Sequence, residues 1–447
     1  MKMMKWALLG GAALAVTATA ARADDLGALK AQIEALQTRV SQLEAQPQAS
    51  MPSGYSLMAI RDGQGTYEGI APERYGDRVR DESGFTLSVL PTADAAPVAE
   101  VSVSGEIRTA LVYTDADNNG TNNAFSDNDS DDNLDVANRG RIFIRGKADT
   151  AVGEVGGYFR LEASGGGNFS DYDESVEMNK AYGWWKFAPE WELMAGYNDN
   201  TGALQTSYDW LVSSIPIRTV GPSNPNNEQF RLTYASGPLS FAISLEDSDA
   251  TEIVIDDVNG DGILQPGDFS TDGPDKSDLP NAQAYLMYSS DSFTAQLVGL
   301  IQDDDFGDDL DWAIGGGATV GIADSFTFLA AAVVGQGTSS YANNISPVTA
   351  DEDFWGGSVG IIANLSEDTR IELGAGYEDY DEAGKALGVN GGVYWDPVSQ
   401  VTVGLGATYV DFKDTVEADV LGNGNLVFND TEGDSLQVFF GTWLRFP

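Results

Sequence analysis

The chain has 447 residues, with 24 basic and 69 acidic side chains, a formal net charge of −45 and neither cysteine nor histidine. Without cysteine and histidine there are no thiolate nucleophiles, no Ser–His catalysis and none of the usual zinc sites, which leaves a hydrolase built on carboxylates alone as the enzyme alternative. Because the chain is so acidic, we expect it to have no nucleic-acid partner. A chain without cysteine suits export through an oxidising compartment, where stray thiols would pair wrongly.

The amino terminus has the pattern of a secretory signal peptide. Lys2 and Lys5 precede an apolar run over residues 6–16, and Ala21-Arg22-Ala23 gives a small-x-small cleavage site. The run is too short to cross a bilayer as a helix, and no other stretch approaches that length. We therefore expect residues 1–23 to be removed, and we exclude an inner-membrane helical protein.

Residues 24–46 are predicted to form a short coiled coil. Apolar residues recur at spacings of 3, 4, 3, 4 and 3, at Leu26, Leu29, Ile33, Leu36, Val40 and Leu43. This seam favours a coiled coil over a lone amphipathic helix. So short a helix is marginal alone in water, which argues for partner chains. With Ile and Val at one seam position and Leu at the other, the seam by itself favours a coiled coil of two helices.

Residues 47–98 are interpreted as a linker or accessory segment of unassigned role. They contain five prolines and mixed charges, with one strand-like piece over residues 84–90. The prolines and charges argue against a full membrane strand here.

From residue 99 to residue 447 the chain alternates apolar and polar residues in segments of roughly ten residues, the period of a strand with two different faces. In one such segment Ile142 and Ile144 oppose Arg141, Arg145 and Lys147. Sixteen strands are predicted, over residues 99–114, 139–150, 153–164, 178–188, 190–198, 229–236, 239–247, 281–290, 292–302, 311–322, 325–337, 354–365, 369–380, 385–397, 399–412 and 434–447.

Short and long connections alternate along the chain between these strands. The long ones are mostly acidic, and they cover 115–138, 165–177, 198–228, 248–280, 303–310, 338–353, 381–384 and 413–433. Aromatic residues fall near strand ends, at Tyr113, Phe187, Trp191, Tyr288, Phe293, Trp312, Phe326, Trp395 and Trp443. An even strand number, two kinds of turn and aromatic girdles predict an antiparallel transmembrane β-barrel. A soluble β-sandwich is disfavoured, because it rarely strings so many hairpins together without a helix.

With a signal peptide, sixteen strands, a long third external loop and a last strand ending in Thr442-Trp-Leu-Arg-Phe-Pro447, residues 99–447 resemble a Gram-negative trimeric general porin. The resemblance implies an outer-membrane location, a homotrimer, contact with outer-membrane lipids and lipopolysaccharide, and passage of small hydrophilic solutes and ions. Short coiled-coil preludes also occur in some proteobacterial porins. The last residue of the family is usually phenylalanine, whereas here Pro447 follows Phe446.

In such porins the third external loop folds into the lumen and faces basic wall residues, and this chain has the corresponding parts. Loop 198–228 is partly apolar and carries Asp199 and Asp209. The polar faces of neighbouring strands carry Arg141, Arg145, Arg160, Lys180 and Arg231. These residues are predicted to form a constriction with a transverse field. Alternatively, the bases pair locally with Glu162, Glu177 or Glu192 and only stabilise the wall.

Residues 257–268 match the twelve-position calcium loop of an EF-hand. The predicted ligands are the side chains of Asp257, Asn259, Asp261 and Asp268 and the backbone carbonyl of Ile263, with Gly262 at the sharp turn. Aspartate replaces glutamate at the twelfth position, and an acidic surface loop that happens to fit is the alternative. A weaker cation site is predicted around Asp115, Asp117 and Asn119. No cofactor is required by either pattern.

The function predicted from these features is passive diffusion through a water-filled channel, with a preference for cations because the loops are so acidic. Two alternatives stay open. One is a substrate-specific channel, which would need aromatic residues arranged along the lumen. The other is a structural or tethering barrel that acts through its coiled coil.

Overall fold

The computed structural model describes residues 56–63, 84–92, 96–118, 133–165, 176–204, 226–247, 253–255, 269–271, 280–302, 310–322, 325–337, 353–381, 384–420 and 426–446. The chain divides into two units, Met1–Leu57 with Leu90–Ala96, and Met58–Val89 with Pro97–Pro447. Nearly all the described residues belong to the second unit. The predicted signal peptide and coiled coil lie outside the described residues. Within the described part, no helix is long and apolar enough to cross a membrane.

Twenty strands make up the described secondary structure. They are β1 Leu57–Asp62, β2 Phe85–Leu90, β3 Ala99–Asn118, β4 Asn133–Thr150, β5 Gly153–Gly165, β6 Glu177–Ala188, β7 Trp191–Asp199, β8 Asn226–Ser236, β9 Leu239–Glu246, β10 Ile253–Ile255, β11 Phe269–Thr271, β12 Asn281–Ser289, β13 Phe293–Gln302, β14 Asp311–Ile322, β15 Phe326–Gln336, β16 Asp353–Asn364, β17 Thr369–Tyr380, β18 Gly384–Val398, β19 Val401–Val420 and β20 Leu426–Phe446.

Sixteen of these strands close into a ring. Antiparallel pairs follow chain order from β3 to β9 and from β12 to β20. β9 pairs with β12, with Glu246 opposite Asn281, and the last strand β20 pairs with β3, with Phe446 opposite Gly105. The predicted sixteen-stranded antiparallel barrel is confirmed.

The two faces of the strands differ as the sequence pattern predicts. In β12, Gln283 and Tyr285 are buried, whereas Ala284 and Leu286 are exposed; in β4, Arg141 is buried and Ile142 is exposed. The exposed face is apolar and the buried face carries the charges, which is the arrangement that a barrel in lipid requires. The buried face is therefore the lumen side, called inward below.

At one end of the barrel, short turns connect neighbouring strands. They cover residues 151–152, 189–190, 237–238, 290–292, 323–325, 365–368 and 399–400, in agreement with the predicted short connections. At the turn between β8 and β9, Gly237 has a φ of 58°, a left-handed conformation that glycine adopts without strain.

The turn between β16 and β17 is held by side-chain hydrogen bonds to Asp368. The Ser366 hydroxyl donates to Asp368 Oδ1 at 2.6 Å, and Thr369 and Trp395 donate to the same carboxylate at 3.1 and 3.2 Å. These donors, Ser366 first, hold the pKa of Asp368 below its usual range. Trp395 thus combines an apolar ring with a polar contact, as residues of an interfacial girdle do.

Most of the predicted girdle residues do face outward, including Phe187, Tyr288, Phe326 and Trp395. Trp443 is the exception, because it is buried on the inward face. A Cβ on Gly404 would lie 2.9 Å from the ring of Trp443, so the glycine leaves the space that this ring occupies. The position of an aromatic residue near a strand end therefore did not predict which face of the barrel its side chain occupies.

Four strands extend four or more residues beyond their predicted ends. β3 reaches Asn118, β4 starts at Asn133, β19 reaches Val420 and β20 starts at Leu426, so the predicted loops 115–138 and 413–433 are wrong at their ends. These extensions are polar and acidic and therefore resemble loops in composition. The backbone ladder continues there nonetheless, with Thr415 opposite Thr431 beyond an irregularity, because pairing outside the membrane does not need apolar side chains.

The strand-like piece predicted in segment 47–98 is present as β2, while β1 was not predicted. β2 pairs with the start of β3, from Phe85 opposite Val103 to Val89 opposite Ala99. Since β20 ends opposite Gly105 on the same strand, β2 continues the line of β20 and covers an edge of β3 that would otherwise be unpaired.

Polar contacts support this pairing on the inward face. The hydroxyls of Thr86 and Ser102 are 2.9 Å apart, and Ser88 donates to Glu100 at 2.8 Å. Arg61 of β1 contacts the same Glu100 at 3.1 Å. β2 is thus attached to the wall by side chains as well as backbone.

We expect the double variant Thr86→Cys with Ser102→Cys to form a disulfide under mild oxidation. The two residues are directly opposed across an antiparallel pair, at a separation that suits a disulfide, and the chain has no other cysteine. Electrophoresis before and after reduction measures the cross-link. The control pair Leu87→Cys with Ser102→Cys points to opposite faces and should stay reduced. Failure of the first pair to cross-link would contradict the pairing of β2 with β3.

Candidate pore constriction

The inward face of β3 to β8 carries a group of basic side chains. All the predicted wall bases are on this face, and four of them are strongly buried: Arg141, Arg160, Lys180 and Arg231, between 3% and 9% exposed. Arg160 lies directly opposite Lys180 in the register of β5 and β6. The five predicted bases therefore share one arc of the barrel wall, with Arg145 on β4 half-buried beside them.

Carboxylates are interleaved with these bases. Arg141 Nε lies 2.6 Å from Glu162 Oε2, and Arg139 Nε lies 2.9 Å from Glu162 Oε1. Arg108 Nη2 lies 2.7 Å from Glu106 Oε1, and Arg141 Nη1 lies 3.5 Å from the same oxygen. Three guanidinium groups thus share two carboxylates. For Glu162, this is the local pairing with wall bases that the alternative interpretation predicted.

The sequence prediction missed Glu106, Arg108 and Arg139. Glu106 and Arg108 alternate with Ile107 along β3, so their spacing of two residues was a signal that could have placed them on the inward face. Of the other predicted partners, Glu192 is buried in the wall, while Glu177 is exposed at the start of β6.

The predicted acidic residue Asp199 meets one of the predicted bases. Lys180 Nζ lies 2.5 Å from Asp199 Oδ2, at the point where β7 ends and the third long connection begins. The second predicted acid, Asp209, lies outside the described residues. A basic wall and an acid from the connection are therefore brought together at Asp199.

The first residues of that connection run along the inward face of the barrel. Residues 200, 201, 203 and 204 are almost fully buried, and Leu204 has no exposed surface. Arg231 Nη2 donates to the carbonyl of Asp199 at 2.5 Å, and its Nε donates to Thr201 Oγ1 at 2.8 Å. One of the wall bases thus holds the loop root, which we define as residues 199–204.

Three side chains on neighbouring strands bind the backbone of the loop root. Glu246 on β9 accepts from Thr201 N, and Gln283 on β12 accepts from Gly202 N, each at 2.7 Å. Gln296 on β13 donates to the carbonyl of Ala203, also at 2.7 Å. The three side chains are buried, so these hydrogen bonds lie away from bulk water. We call Glu246, Gln283 and Gln296 the loop clamp.

Beyond the loop clamp the inward face becomes apolar. A buried cluster on this part of the wall includes Leu204, Tyr285, Met287, Val298, Leu300 and Val333. A Cβ on Gly315 of β14 would stand 2.9 Å from Cδ1 of Leu204, so the glycine leaves the space into which Leu204 packs. An apolar inner wall is unusual for a water-filled lumen, and it matches the apolar character predicted for this connection. Residues 205–225 lie outside the described part.

Aromatic residues, which a substrate-specific channel would need along its lumen, occur on the inward face of β4 to β6. Phe143, Tyr158 and Trp184 form a buried cluster, and Arg145 lies over the ring of Tyr158 at 5.4 Å. A Cβ on Gly156 would fall 2.0 Å from the ring of Trp184. With 4% to 7% of their surface exposed, these rings pack against the wall rather than present open faces.

The predicted calcium ligands Asp257, Asn259, Asp261, Ile263 and Asp268 all lie outside the described residues. The strands on either side are described: β10 pairs with β11, with Ile255 opposite Phe269. In the described part of the chain, no group of three or more acidic residues is arranged to hold a metal ion.

Comparison with known proteins identifies the family. A family model described as Gram-negative porin matches residues 86–415, which is most of the chain. The chain therefore belongs to the Gram-negative porin family, and its barrel is an outer-membrane channel for diffusion. The family and the fold are those of channel proteins. Comparison with curated sequences finds no match.

Solved porins share the fold at low sequence identity. The outer membrane channel DcaP of Acinetobacter baumannii has a TM-score of 0.57 and 18% identity, over 77% of this chain and 97% of DcaP. The anion-selective porin from Comamonas acidovorans has a TM-score of 0.54 and 14% identity, over 78% of this chain and 100% of that porin. Salmonella typhi OmpF, solved in complex with daunomycin, has a TM-score of 0.50 and 12% identity, over 77% and 98% of the two chains.

We expect loss of the loop clamp to make the channel current unstable. The double variant Gln283→Leu with Gln296→Leu removes two hydrogen bonds to the loop root, each worth about 1 kcal/mol. Single-channel recordings should then show more open-channel noise than the wild type. The matched control is Gln437→Leu, a buried inward glutamine that bonds Thr114 on the neighbouring strand instead of the loop root. Equal noise in the double variant and the wild type would contradict a role for the clamp.

Proposed function

We propose that this porin passes small hydrophilic solutes and ions by passive diffusion, sorting them by size and charge. The observation that supports this is the inward arc of β3 to β8, where guanidinium, ammonium and carboxylate groups are interleaved. Polar groups of both signs on an inner wall keep the path hydrated, and they orient polar solutes without any covalent step or energy source.

The constriction is proposed to lie where the loop root meets the basic arc. Arg141, Arg145, Arg160, Lys180 and Arg231 supply positive charge, and Asp199 supplies negative charge. Asp209 is proposed, from the sequence, to add a second acid. The loop root also lies against β9, β12, β13 and β14, so it is proposed to narrow the lumen between those strands and the basic arc.

A preference for cations is proposed from the balance of charge. Acidic residues outnumber basic ones by 69 to 24, mostly in the long connections, so the mouth should concentrate cations. The wall bases oppose this, but several are paired: Arg141 with Glu162, Arg108 with Glu106, and Lys180 with Asp199. Pairing at these distances offsets much of their field at the centre of the lumen.

The substrate-specific alternative is less well supported. It requires ring faces that a passing solute can touch, whereas Phe143, Tyr158 and Trp184 are buried against the wall. The tethering alternative depends on residues 24–46, which lie outside the described part.

We further propose that the chain forms a homotrimer in the outer membrane, surrounded by its lipids and lipopolysaccharide. The support is the family membership together with the predicted coiled coil of residues 24–46, which needs partner chains. The apolar outward face of the strands is suited to lipid, as in β9, where Leu239, Ile243 and Leu245 are exposed.

We expect Arg160→Gln to strengthen the cation preference. Arg160 is 7% exposed on the lumen side, so removal of its charge leaves the acidic groups less opposed. Reversal potentials in a potassium chloride gradient measure the change, which should be largest at low salt, where screening is weak. Arg61→Gln is the control: it removes the same charge from a side chain that is 51% exposed and outside the barrel strands, and it should change little. A wild-type channel with a stable anion preference would show that the wall bases dominate.

The loop 257–268 is proposed to bind calcium, with Asp257, Asn259, Asp261, Ile263 and Asp268 as ligands. Pairing of β10 with β11 brings the two ends of this loop together, which supports a compact cation loop. Binding would neutralise part of the loop charge, and sites of this kind outside cells have dissociation constants of about 0.1–1 mM.

We expect calcium to raise the melting temperature and to slow proteolysis within residues 248–280, because it orders a self-repelling segment. Calcium titration of the purified protein measures both effects. Asp261→Ala should abolish them, while Asp278→Ala, in the same connection but outside the twelve positions, should preserve them. If chelation changes neither property, the loop is a solvated acidic turn.

A further inference from the structure

The last strand of the barrel and β2 meet end to end on β3. β20 pairs with β3 as far as Phe446 opposite Gly105, and β2 pairs with β3 from Phe85 opposite Val103. Only Ser104 of β3 lies between these two partners. β20 therefore has no free position on β3 beyond its own last paired residue.

The junction between β2 and β20 is closely packed. A Cβ on Gly105 would lie 2.5 Å from the ring of Phe446, and a Cβ on Gly84, just before β2, would lie 2.4 Å from Val103 O. Gly84 has a φ of 93°, a backbone conformation that suits glycine and is rare for other residues. The start of β2 is thus fixed at a place that leaves no room for a further pair of β20.

The pairing of β20 with β3 has no turn to set its register. The two strands of a hairpin are held in register by their connection, whereas β3 and β20 are the first and the last strands of the barrel. A slip by two residues would keep every side chain on its own face, because the faces alternate with period two. The alternation of apolar and polar residues therefore does not exclude such a slip.

Slips of β20 in the two directions meet different obstacles. A slip by two residues towards the start of β3 would place Phe446 opposite Val103, the position that Phe85 of β2 holds. Without β2, residues 99–103 of β3 would favour this slip, because their unpaired N–H and C=O groups need partners. A slip in the other direction would remove the partner of Gly105 and shorten the ladder.

We propose that β2 is the stop that fixes the register in which the barrel closes. By occupying the first residues of β3, it leaves β20 a single position in which the whole line along β3 is paired. Side chains hold the stop in place: the hydroxyls of Thr86 and Ser102 are 2.9 Å apart, and Ser88 donates to Glu100 at 2.8 Å.

This role connects the segment before the barrel with the channel. Strand tilt, stagger and diameter are linked in a closed barrel, so a slip at one pair changes the stagger of the whole. A barrel closed after the slip would carry the same inward side chains around a lumen of different cross-section. Segment 47–98 thus gains a role in setting the size of the path, whichever solutes pass through it.

The test reads the register of β20 with pairs of cysteines in the full-length chain, which has no cysteine of its own. Gln437→Cys with Thr114→Cys reports the native register, in which the two residues are opposed. Gln437→Cys with Val112→Cys reports the slip, because these residues are only diagonal neighbours in the native register and become opposed after it. Electrophoresis after mild oxidation measures the cross-linked fraction of the folded barrels.

Both reporter pairs are placed in chains with and without an intact β2. Leu87→Pro puts a proline among the residues of β2 that pair with β3, and Leu90→Pro, one residue past the last pair at Val89, is the matched control. Thr86→Ala with Ser88→Ala removes only side-chain bonds. We expect the native pair to cross-link in the wild type and in the control, and the slipped pair to gain several-fold in Leu87→Pro and less in the double alanine variant.

The outcomes decide whether β2 acts as a stop. If folded Leu87→Pro barrels cross-link as the wild type does, the register is set without β2 and the proposal is wrong. If Leu87→Pro gives no folded barrel, the double alanine variant decides: an unchanged ratio of the two cross-links overturns the proposal, and a shift towards the slipped pair supports it. Slipped barrels should also differ from the wild type in unitary conductance, and equal conductance would overturn the link to lumen size.

Discussion

The need to pair every backbone N–H and C=O in lipid is the constraint on which this structure depends. Hydrocarbon offers no hydrogen-bonding groups, so a sheet that crosses the membrane must close on itself. Here closure is made by pairing β9 with β12 and β20 with β3. Closure then fixes which side chains can carry function, because every second residue of each strand is turned to the lumen.

The inward positions in turn impose a second constraint, since charged groups on a crowded wall need partners. Glu162 lies between Arg139 and Arg141, and Glu106 between Arg108 and Arg141, so the carboxylates hold guanidinium groups that would otherwise repel one another. The same wall holds the loop root through Arg231 and the loop clamp. The charged groups of the basic arc and the contacts that hold the loop root thus lie on the same wall, and Arg231 belongs to both sets.

Strand number, order and face were predictable from the sequence because alternation with period two is strong between membrane girdles. For example, the alternation alone predicts that Arg141 faces the lumen and that Ile142 faces outward. Strand ends were less predictable at β3, β4, β19 and β20, where polar residues continue the ladder outside the membrane. Parity placed the predicted wall bases on the inward face, and Glu162 was predicted as a local partner, but Glu106, Arg108 and Arg139 were missed. The loop clamp depends on how Gln283 and Gln296 meet residues that lie 81 and 93 positions earlier in the chain, and no local pattern in the sequence contains that information.

The seam between β20 and β3 joins the last strand of the barrel to the first, as in the hydrogen bond from Gln437 to Thr114, which are 323 residues apart. Such pairs carry the largest loss of chain entropy on folding, so the seam benefits most from additional contacts. β2 supplies some of them by extending the line of β20 along β3, with Thr86 and Ser88 bonded to the wall. The strand that precedes the barrel thus supports the pairing of β20 with β3, a junction that no hairpin between consecutive strands provides.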